Sequence, residues 1–166
     1  MMTFEQFESL AEEYRTVPVY QTVLSDLLTP VSSYLRLSRN SEYAVLLESV
    51  EEGKHLARYS YIGRNPEVLL IHNDGETQII EDGDTRTTRQ EFVDIIREYS
   101  SRYQVPKIAE IPTFAGGWIG YHGYETIKWV EDIPTYPAED GDTPDAIFML
   151  YETLIAFDHI KRETVI

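Results

Sequence analysis

The chain contains no cysteine, which excludes a disulfide framework and a thiolate metal site. It also lacks an apolar run of the length that a membrane span requires. The first residues do not show the basic-then-apolar order of a secretory signal. We therefore expect a cytoplasmic protein without membrane contact.

Basic residues are scarce, because 14 lysines and arginines stand against 29 aspartates and glutamates, for a net charge of −15. Phosphate binding needs clustered lysine and arginine, so this balance argues against a nucleic-acid partner. The four histidines are scattered without a metal-ligand spacing, and no Gly-x-Ser-x-Gly motif is present. The residues therefore predict neither a metal site nor a catalytic nucleophile in this chain.

Helix signals occur at three places in a chain whose 166 residues suit one domain or a large part of one. A capping box at Thr3 predicts a first helix that runs to about Arg15. Pro30 suits the first turn of a helix that continues through Leu37. A second capping box at Thr88, with Glu three residues on, predicts a third helix with a clear apolar stripe.

Short apolar runs predict strands, bounded by turn signals at Asn73-Asp74-Gly75 and Asp82-Gly83. The runs cover residues 17–24, 43–50, 68–72, 77–81, 113–121, 146–151 and 153–158. Strands and helices do not alternate regularly, so we predict an α+β fold, a mostly antiparallel β-sheet scaffold with two or three flanking helices. The acidic segment 132–143 is predicted to be a surface loop.

The run Leu46-Leu47-Glu48-Ser49 ends an apolar strand in a carboxylate and a hydroxyl. An unpaired polar group in a buried strand costs about 1–3 kcal/mol. Two such groups in succession therefore indicate either a strand end that faces a polar ligand or an exposed end without a function.

Glycines recur in residues 116–123 with the spacing Gly-Gly-x-x-Gly-x-x-Gly. This spacing differs from the Gly-x-Gly-x-x-Gly loop that opens a helix in dinucleotide-binding folds. We expect these glycines to allow close packing of backbones or a bend.

Four blocks of sequence resemble the amino-terminal region of anthranilate synthase component I, a chorismate-utilising enzyme. They occur along the chain in the same order as in that family. They include a Thr-Pro-Val-Ser stretch, the polar strand end, a Gly-Gly-x-x-Gly-Tyr-x-Gly-Tyr-Glu block and a Phe-Asp-His segment. The blocks cover residues 29–35, 46–49 with 58–63, 116–125, and 144–151 with 157–159.

This resemblance implies that the whole of residues 1–166 is the amino-terminal regulatory and scaffold region of a longer enzyme. Such an enzyme converts chorismate and glutamine-derived ammonia to anthranilate and pyruvate in tryptophan synthesis. The resemblance places the catalytic residues and the Mg²⁺ ligands in a region that this chain lacks. We therefore expect the chain alone to be inactive and to bind no cofactor. The partner implied for the parent is a glutamine amidotransferase subunit, component II.

The resemblance also assigns the polar strand end to feedback inhibition by L-tryptophan. A zwitterionic amino acid needs an anion for its ammonium group and donors for its carboxylate. The implied effector-binding residues are Glu48, Ser49 and Arg58, whereas Tyr34 and Tyr59 either wall the pocket or pack in the core.

Two other functions fit the sequence. Aminodeoxychorismate synthase component I, of folate synthesis, shares the glycine block, and a stand-alone amino-acid-binding module needs no catalytic region. If the chain is a fragment, strand edges near residues 146–157 or 165–166 are expected to be unpaired, which predicts self-association.

Overall fold

A computed structural model describes residues 2–25, 27–48, 58–132 and 143–166. Ser49 and most of the predicted acidic loop at 132–143 lie outside the described residues. Helices and strands follow one another in the described part without regular alternation. The α-helices are α1 (Phe4–Ala11), α2 (Pro30–Leu37) and α3 (Phe92–Ser100), and two short 3-10 helices cover Ser38–Asn40 and Tyr124–Trp129. The strands are β1 (Thr22–Leu24), β2 (Ala44–Glu48), β3 (Tyr59–Arg64), β4 (Val68–Asn73), β5 (Glu76–Glu81), β6 (Asp84–Thr88), β7 (Gly117–His122), β8 (Ala146–Tyr151), β9 (Leu154–Asp158) and β10 (Glu163–Val165).

The strands form two five-stranded sheets, both antiparallel throughout. The first sheet has the order β1-β10-β9-β3-β2, and the second has the order β6-β5-β4-β8-β7. With three flanking helices, this architecture confirms the predicted α+β fold with an antiparallel scaffold.

The strand pair β3–β9 of the first sheet continues along the chain into the pair β4–β8 of the second sheet. Strands β3 and β4 are separated only by residues 65–67, and β8 and β9 only by residues 152–153. At this corner Asn65 has a positive φ of 50°, and the Glu67 amide donates to the Leu150 carbonyl at 2.9 Å. One long antiparallel pair therefore bends from the first sheet into the second, which is how strands switch sheets in packed β structures.

Local turn and capping signals correctly predict several element boundaries, although α1 ends at Ala11 and not near Arg15. Asp74-Gly75 and Asp82-Gly83 have positive φ angles between paired strands, as the hairpin signals predicted. Thr3 forms the predicted capping box, and α2 begins at Pro30 and ends at Leu37.

Other boundaries were predicted wrongly. The capping box at Thr88 does not form, because the Thr88 hydroxyl accepts from the Gln90 amide and α3 begins only after Glu91. The predicted strand 17–24 shortens to β1, because only its last residues pair with β10. Pro18, which has no amide hydrogen, lies in the part that is not a strand.

The main apolar core lies between the second sheet and α3. Phe92, Ile95 and Tyr99 of α3 are buried against alternate residues of β4, β5 and β8. The spacing of these three residues puts them on one helix face, which explains the apolar stripe seen in the sequence. Tyr99 and Tyr151 are both buried, so these tyrosines contribute to the apolar interior.

Gly120 lies where β7 approaches β8 most closely. A β-carbon on Gly120 would lie 2.0 Å from the Ile147 carbonyl oxygen and 2.7 Å from the Phe148 α-carbon. The structure therefore confirms that the glycine block permits close packing of backbones.

The expected unpaired edge at residues 146–157 or 165–166 was wrong. Strand β8 lies between β4 and β7, β9 lies between β10 and β3, and β10 lies between β1 and β9. The outer strands of the two sheets are β1, β2, β6 and β7, so any pairing between copies would involve one of these.

Candidate functional site

A row of directly opposed residues crosses one face of the first sheet. The strand registers pair Val23 with Thr164, Thr164 with Phe157, Phe157 with Ser60, and Ser60 with Glu48. Opposed residues of antiparallel strands point to the same face and have β-carbons about 4.5–5.5 Å apart. Glu48 therefore occupies the end of this row on the outer strand β2.

The Glu48 end of the row is polar and open to solvent. Glu48 is exposed and is the last residue of β2, whose first three residues are half-buried. This placement matches the polar strand end seen in the sequence. Ser49, the second residue of the predicted site, lies outside the described residues.

Ser60 supplies a buried hydroxyl beside Glu48. Only 2% of Ser60 is exposed, and its Oγ lies 2.8 Å from Nε2 of His159. His159 itself is exposed and begins the turn that follows β9. A hydroxyl buried in a strand is thus paired with an imidazole at the surface, which removes the penalty of leaving that hydroxyl unpaired.

Arg58 is joined to Asp158, at the end of β9. Nη2 of Arg58 lies 2.6 Å from Oδ2 of Asp158, and Nε donates to the same oxygen at 3.1 Å. The Arg58 guanidinium also lies 4.8 Å from the ring centre of Tyr59. Asp158 is opposed to Tyr59, not to Ser60, so the ion pair involves the neighbouring row of the sheet.

Asp158 also closes the turn between β9 and β10. Its Oδ1 accepts hydrogen bonds from the amides of Ile160 and Lys161, each at 3.0 Å. Burial alone would raise the pKa of Asp158, but the hydrogen bonds from Arg58 and from these amides outweigh it and lower that pKa. Asp158 therefore stays ionised and fixes both Arg58 and the backbone beside His159.

Two of the predicted site residues, Glu48 and Arg58, thus have different neighbours, although Glu48 ends β2 and Arg58 directly precedes the adjacent strand β3. Glu48 lies beside Ser60, whereas Arg58 is paired with Asp158 and keeps 38% of its side chain exposed. The predicted wall residue Tyr34 donates its hydroxyl to the Ala44 carbonyl at 3.4 Å, which ties α2 to the start of β2.

Sequence reasoning gave no role to Ser60, Asp158 or His159. All three lie in blocks that resemble the family, in the Arg-Tyr-Ser run and in the Phe-Asp-His segment. Their contacts join residues about a hundred positions apart, with separations of 99 for Ser60–His159 and 100 for Arg58–Asp158. Only the block pattern could have indicated them.

A separate cavity of about 730 Å³ opens between residues 16–20, residues 111–117 and the connection of β8 to β9. Tyr103 lies in its wall and donates to Oε1 of Glu152 at 2.7 Å. Burial, together with that carboxylate, raises the pKa of Tyr103, which therefore keeps its proton. Neither Glu48 nor His159 lines this mainly apolar cavity, so it is distinct from the polar end of the row at Glu48.

The described ranges contain neither a cluster of metal-binding side chains nor a membrane-spanning helix. Across residues 2–25, 27–48, 58–132 and 143–166, no three histidine, aspartate or glutamate side chains gather closely enough to hold a metal ion. None of the helices in these same ranges has both the length and the hydropathy needed to cross a membrane. We therefore assign no described residue to the Mg²⁺ that the resemblance implies.

Known proteins resemble this chain over almost its whole length, although no protein-family model matches it. Anthranilate synthase component 1 of Synechocystis sp. is 37% identical over 162 residues, covering 96% of this chain and 32% of that protein. Anthranilate synthase component 1 of Acinetobacter calcoaceticus is 37% identical over 170 residues, covering 97% of this chain and 34% of that protein. The crystal structure of anthranilate synthase component I from Streptococcus pneumoniae matches with a TM-score of 0.54 and 29% identity, over 86% of this chain and 30% of that one.

The fold is an α+β unit with two antiparallel sheets, and it is similar to part of that crystal structure. By sequence, the chain is a relative of anthranilate synthase component 1, as the motifs predicted. The chain spans 32–34% of the length of these relatives.

Proposed function

We propose that this chain is the regulatory and scaffold part of an anthranilate synthase component I. The parent enzyme would convert chorismate and glutamine-derived ammonia to anthranilate and pyruvate. Support comes from bacterial relatives named anthranilate synthase component 1, from a fission-yeast relative named probable anthranilate synthase component 1, and from a plant relative named anthranilate synthase alpha subunit 2. The same names favour this function over aminodeoxychorismate synthase.

The effector of this part is L-tryptophan, and Glu48 binds its ammonium group. One observation carries this assignment: Glu48 stands at an exposed strand end, directly beside a buried hydroxyl that is fixed by His159. Because the hydroxyl beside Glu48 is already fixed, less conformational entropy is lost when a ligand binds there.

Arg58 is suited to bind the carboxylate of the amino acid. A guanidinium has five N–H donors, and the ion pair with Asp158 engages the Nε and Nη2 groups. The partly exposed side chain keeps further donors available, and Asp158 restricts its movement. Ser49 follows Glu48 directly and is proposed to contribute its hydroxyl to the same ligand.

The remaining features of the parent rest on the family resemblance. The designation component 1 in the relatives supports a second component, for which we propose the glutamine amidotransferase subunit. Mg²⁺ is proposed for the parent only, and no described residue is assigned to it. A cytoplasmic location stays a prediction, since one plant relative is named as chloroplastic.

The proposal is tested on the full-length polypeptide that contains this chain, by following anthranilate fluorescence from chorismate and ammonium at increasing tryptophan. Glu48→Gln and Ser49→Ala should each raise the inhibition constant about tenfold or more, because the first removes the negative charge that faces the ammonium group and the second removes a hydroxyl. Glu163→Gln is the matched control, since Glu163 lies on β10 of the same sheet in the neighbouring row.

Two results would contradict the proposal. No anthranilate from the wild-type polypeptide would remove the enzyme assignment. Equal tryptophan inhibition in wild type, Glu48→Gln and Ser49→Ala would remove this strand end from the effector site.

A further inference from the structure

We propose that His159 is a further binding residue of the effector site and donates a hydrogen bond to the carboxylate of the bound amino acid. Ser60 is the positioning residue that orients the imidazole. This inference rests on the proposed function, since it names an additional residue of the same site. It depends on the register of the first sheet and on the hydrogen bonds around His159.

The register brings His159 to the Glu48 side of the sheet. Ser60 is directly opposed to Glu48, and its hydroxyl lies 2.8 Å from the His159 imidazole. Glu48 and His159 therefore flank the same buried serine. An amino acid carries its ammonium and carboxylate on one carbon atom, so a carboxylate and an imidazole that neighbour the same residue suit its two charged groups.

The backbone of His159 is fixed by the turn after β9. Its amide donates to the Arg58 carbonyl at 2.9 Å, and the next two amides donate to Asp158. The Arg162 amide closes the turn by donating to the Asp158 carbonyl at 2.8 Å. An exposed side chain on a turn is ordinarily mobile, but this one is fixed at its backbone and at its ring.

The hydrogen bond to Ser60 also determines which ring nitrogen can bind a ligand. Nε2 faces Ser60, and within the described residues no group is hydrogen-bonded to Nδ1. When the Ser60 hydroxyl donates to Nε2, a neutral imidazole carries its proton on Nδ1. Nδ1 is then the donor that faces away from Ser60, and a carboxylate is the ligand group that accepts from it most strongly.

Another histidine–hydroxyl hydrogen bond, away from this site, provides a control. His122 is also exposed, and its Nδ1 lies 2.9 Å from Oγ1 of the buried Thr126. His122 lies opposite Ala146 in the second sheet, so no carboxylate opposes it across that strand pair. Substitutions at His122 therefore report what the loss of an imidazole–hydroxyl bond does on its own.

The test uses the full-length polypeptide, with each variant assayed at chorismate concentrations scaled to its own KM. His159→Leu should raise the tryptophan inhibition constant about tenfold or more, because it removes a donor to a charged group. His159→Gln keeps an amide donor and should recover most of the sensitivity. His122→Leu should leave tryptophan inhibition as in wild type.

A tryptophan analogue separates ligand contact from a general effect on the fold. Tryptamine has the indole and the ammonium group but lacks the carboxylate. His159→Leu should therefore not change the tryptamine inhibition constant, whereas Glu48→Gln should weaken both compounds. Equal weakening of tryptophan and tryptamine in both His159 variants would overturn the inference, because it would indicate a purely structural role.

The two proposals fail in distinguishable ways. If wild type is insensitive to tryptophan, or Glu48→Gln matches wild type, the effector site itself is wrong. If Glu48→Gln loses sensitivity while His159→Leu keeps wild-type sensitivity, only the role of His159 is wrong.

Discussion

Replacing Gly120 by alanine should separate β7 from β8. The added β-carbon would lie 2.0 Å from the Ile147 carbonyl oxygen, which is more than 1 Å shorter than a normal carbon–oxygen contact of about 3.3 Å. The atoms that would clash with the added β-carbon are the Ile147 carbonyl and the Phe148 α-carbon. Both belong to the backbone, so no side-chain rotation relieves the clash. Strand β7 is an outer strand and can only move away.

The expected loss follows from the hydrogen bonds between these strands. β7 and β8 are paired over six residues, from Gly117–Tyr151 to His122–Ala146. A shift of about 1 Å takes hydrogen bonds of normal length beyond their useful range. If about three bonds are lost at roughly 1 kcal/mol each, unfolding becomes easier by about 3 kcal/mol. For a chain of this size that lowers Tm by about 6–12 °C.

Urea or thermal unfolding of wild type and Gly120→Ala measures this change directly. Gly123→Ala is the matched control from the same glycine block. It has a φ of −67°, and its added β-carbon would lie 3.4 Å from the Asp145 carbonyl oxygen, an ordinary contact. We expect Gly123→Ala to change stability by less than about 1 kcal/mol. Equal stability of Gly120→Ala and Gly123→Ala would refute the close-packing explanation of the glycine block.

Three further predictions concern polar groups and activity. Ser33 is 8% exposed, and within the described residues its hydroxyl has no hydrogen-bond partner. Ser33→Ala should therefore stabilise the chain by up to about 1–3 kcal/mol, measured by urea unfolding. Destabilisation by this substitution would indicate that the hydroxyl has a partner. Asp158→Asn should destabilise the chain by about 1.5–3 kcal/mol near neutral pH, because the ion pair with Arg58 becomes a neutral contact. The pKa of Asp158 is lower in the folded chain than its ordinary value of 3.8. Wild type should therefore be more stable than Asp158→Asn above pH 3.8, and this difference in stability should disappear as the pH falls through the folded pKa. A pH-independent difference between the two proteins would contradict the assignment. The 166-residue chain alone should form no anthranilate from chorismate, ammonium and Mg²⁺ above an enzyme-free control, and turnover by a clean preparation would place catalytic groups within it.

Several elements were determined by short stretches of sequence. Asp74-Gly75 and Asp82-Gly83 accommodate positive φ angles, so the two hairpins could be predicted without knowledge of the rest of the chain. Helix α2 likewise begins and ends as predicted, because Thr29 and Pro30 provide a cap and a suitable first turn. In each case the physical cause lies within a few residues.

The tertiary structure decided which strands pair and, with that, where the functional side chains lie. The sequence indicates a polar end at Glu48, but only the order β9-β3-β2 brings Ser60 and His159 beside it. The same order buries β9 in the interior of a sheet, where an unpaired edge had been expected. Such contacts join positions about a hundred residues apart, and their register depends on the hydrogen bonds of whole strands. Sequence alone therefore determined the local turns and the family, whereas the surroundings of Glu48 and Arg58 were determined by how the distant strands pair.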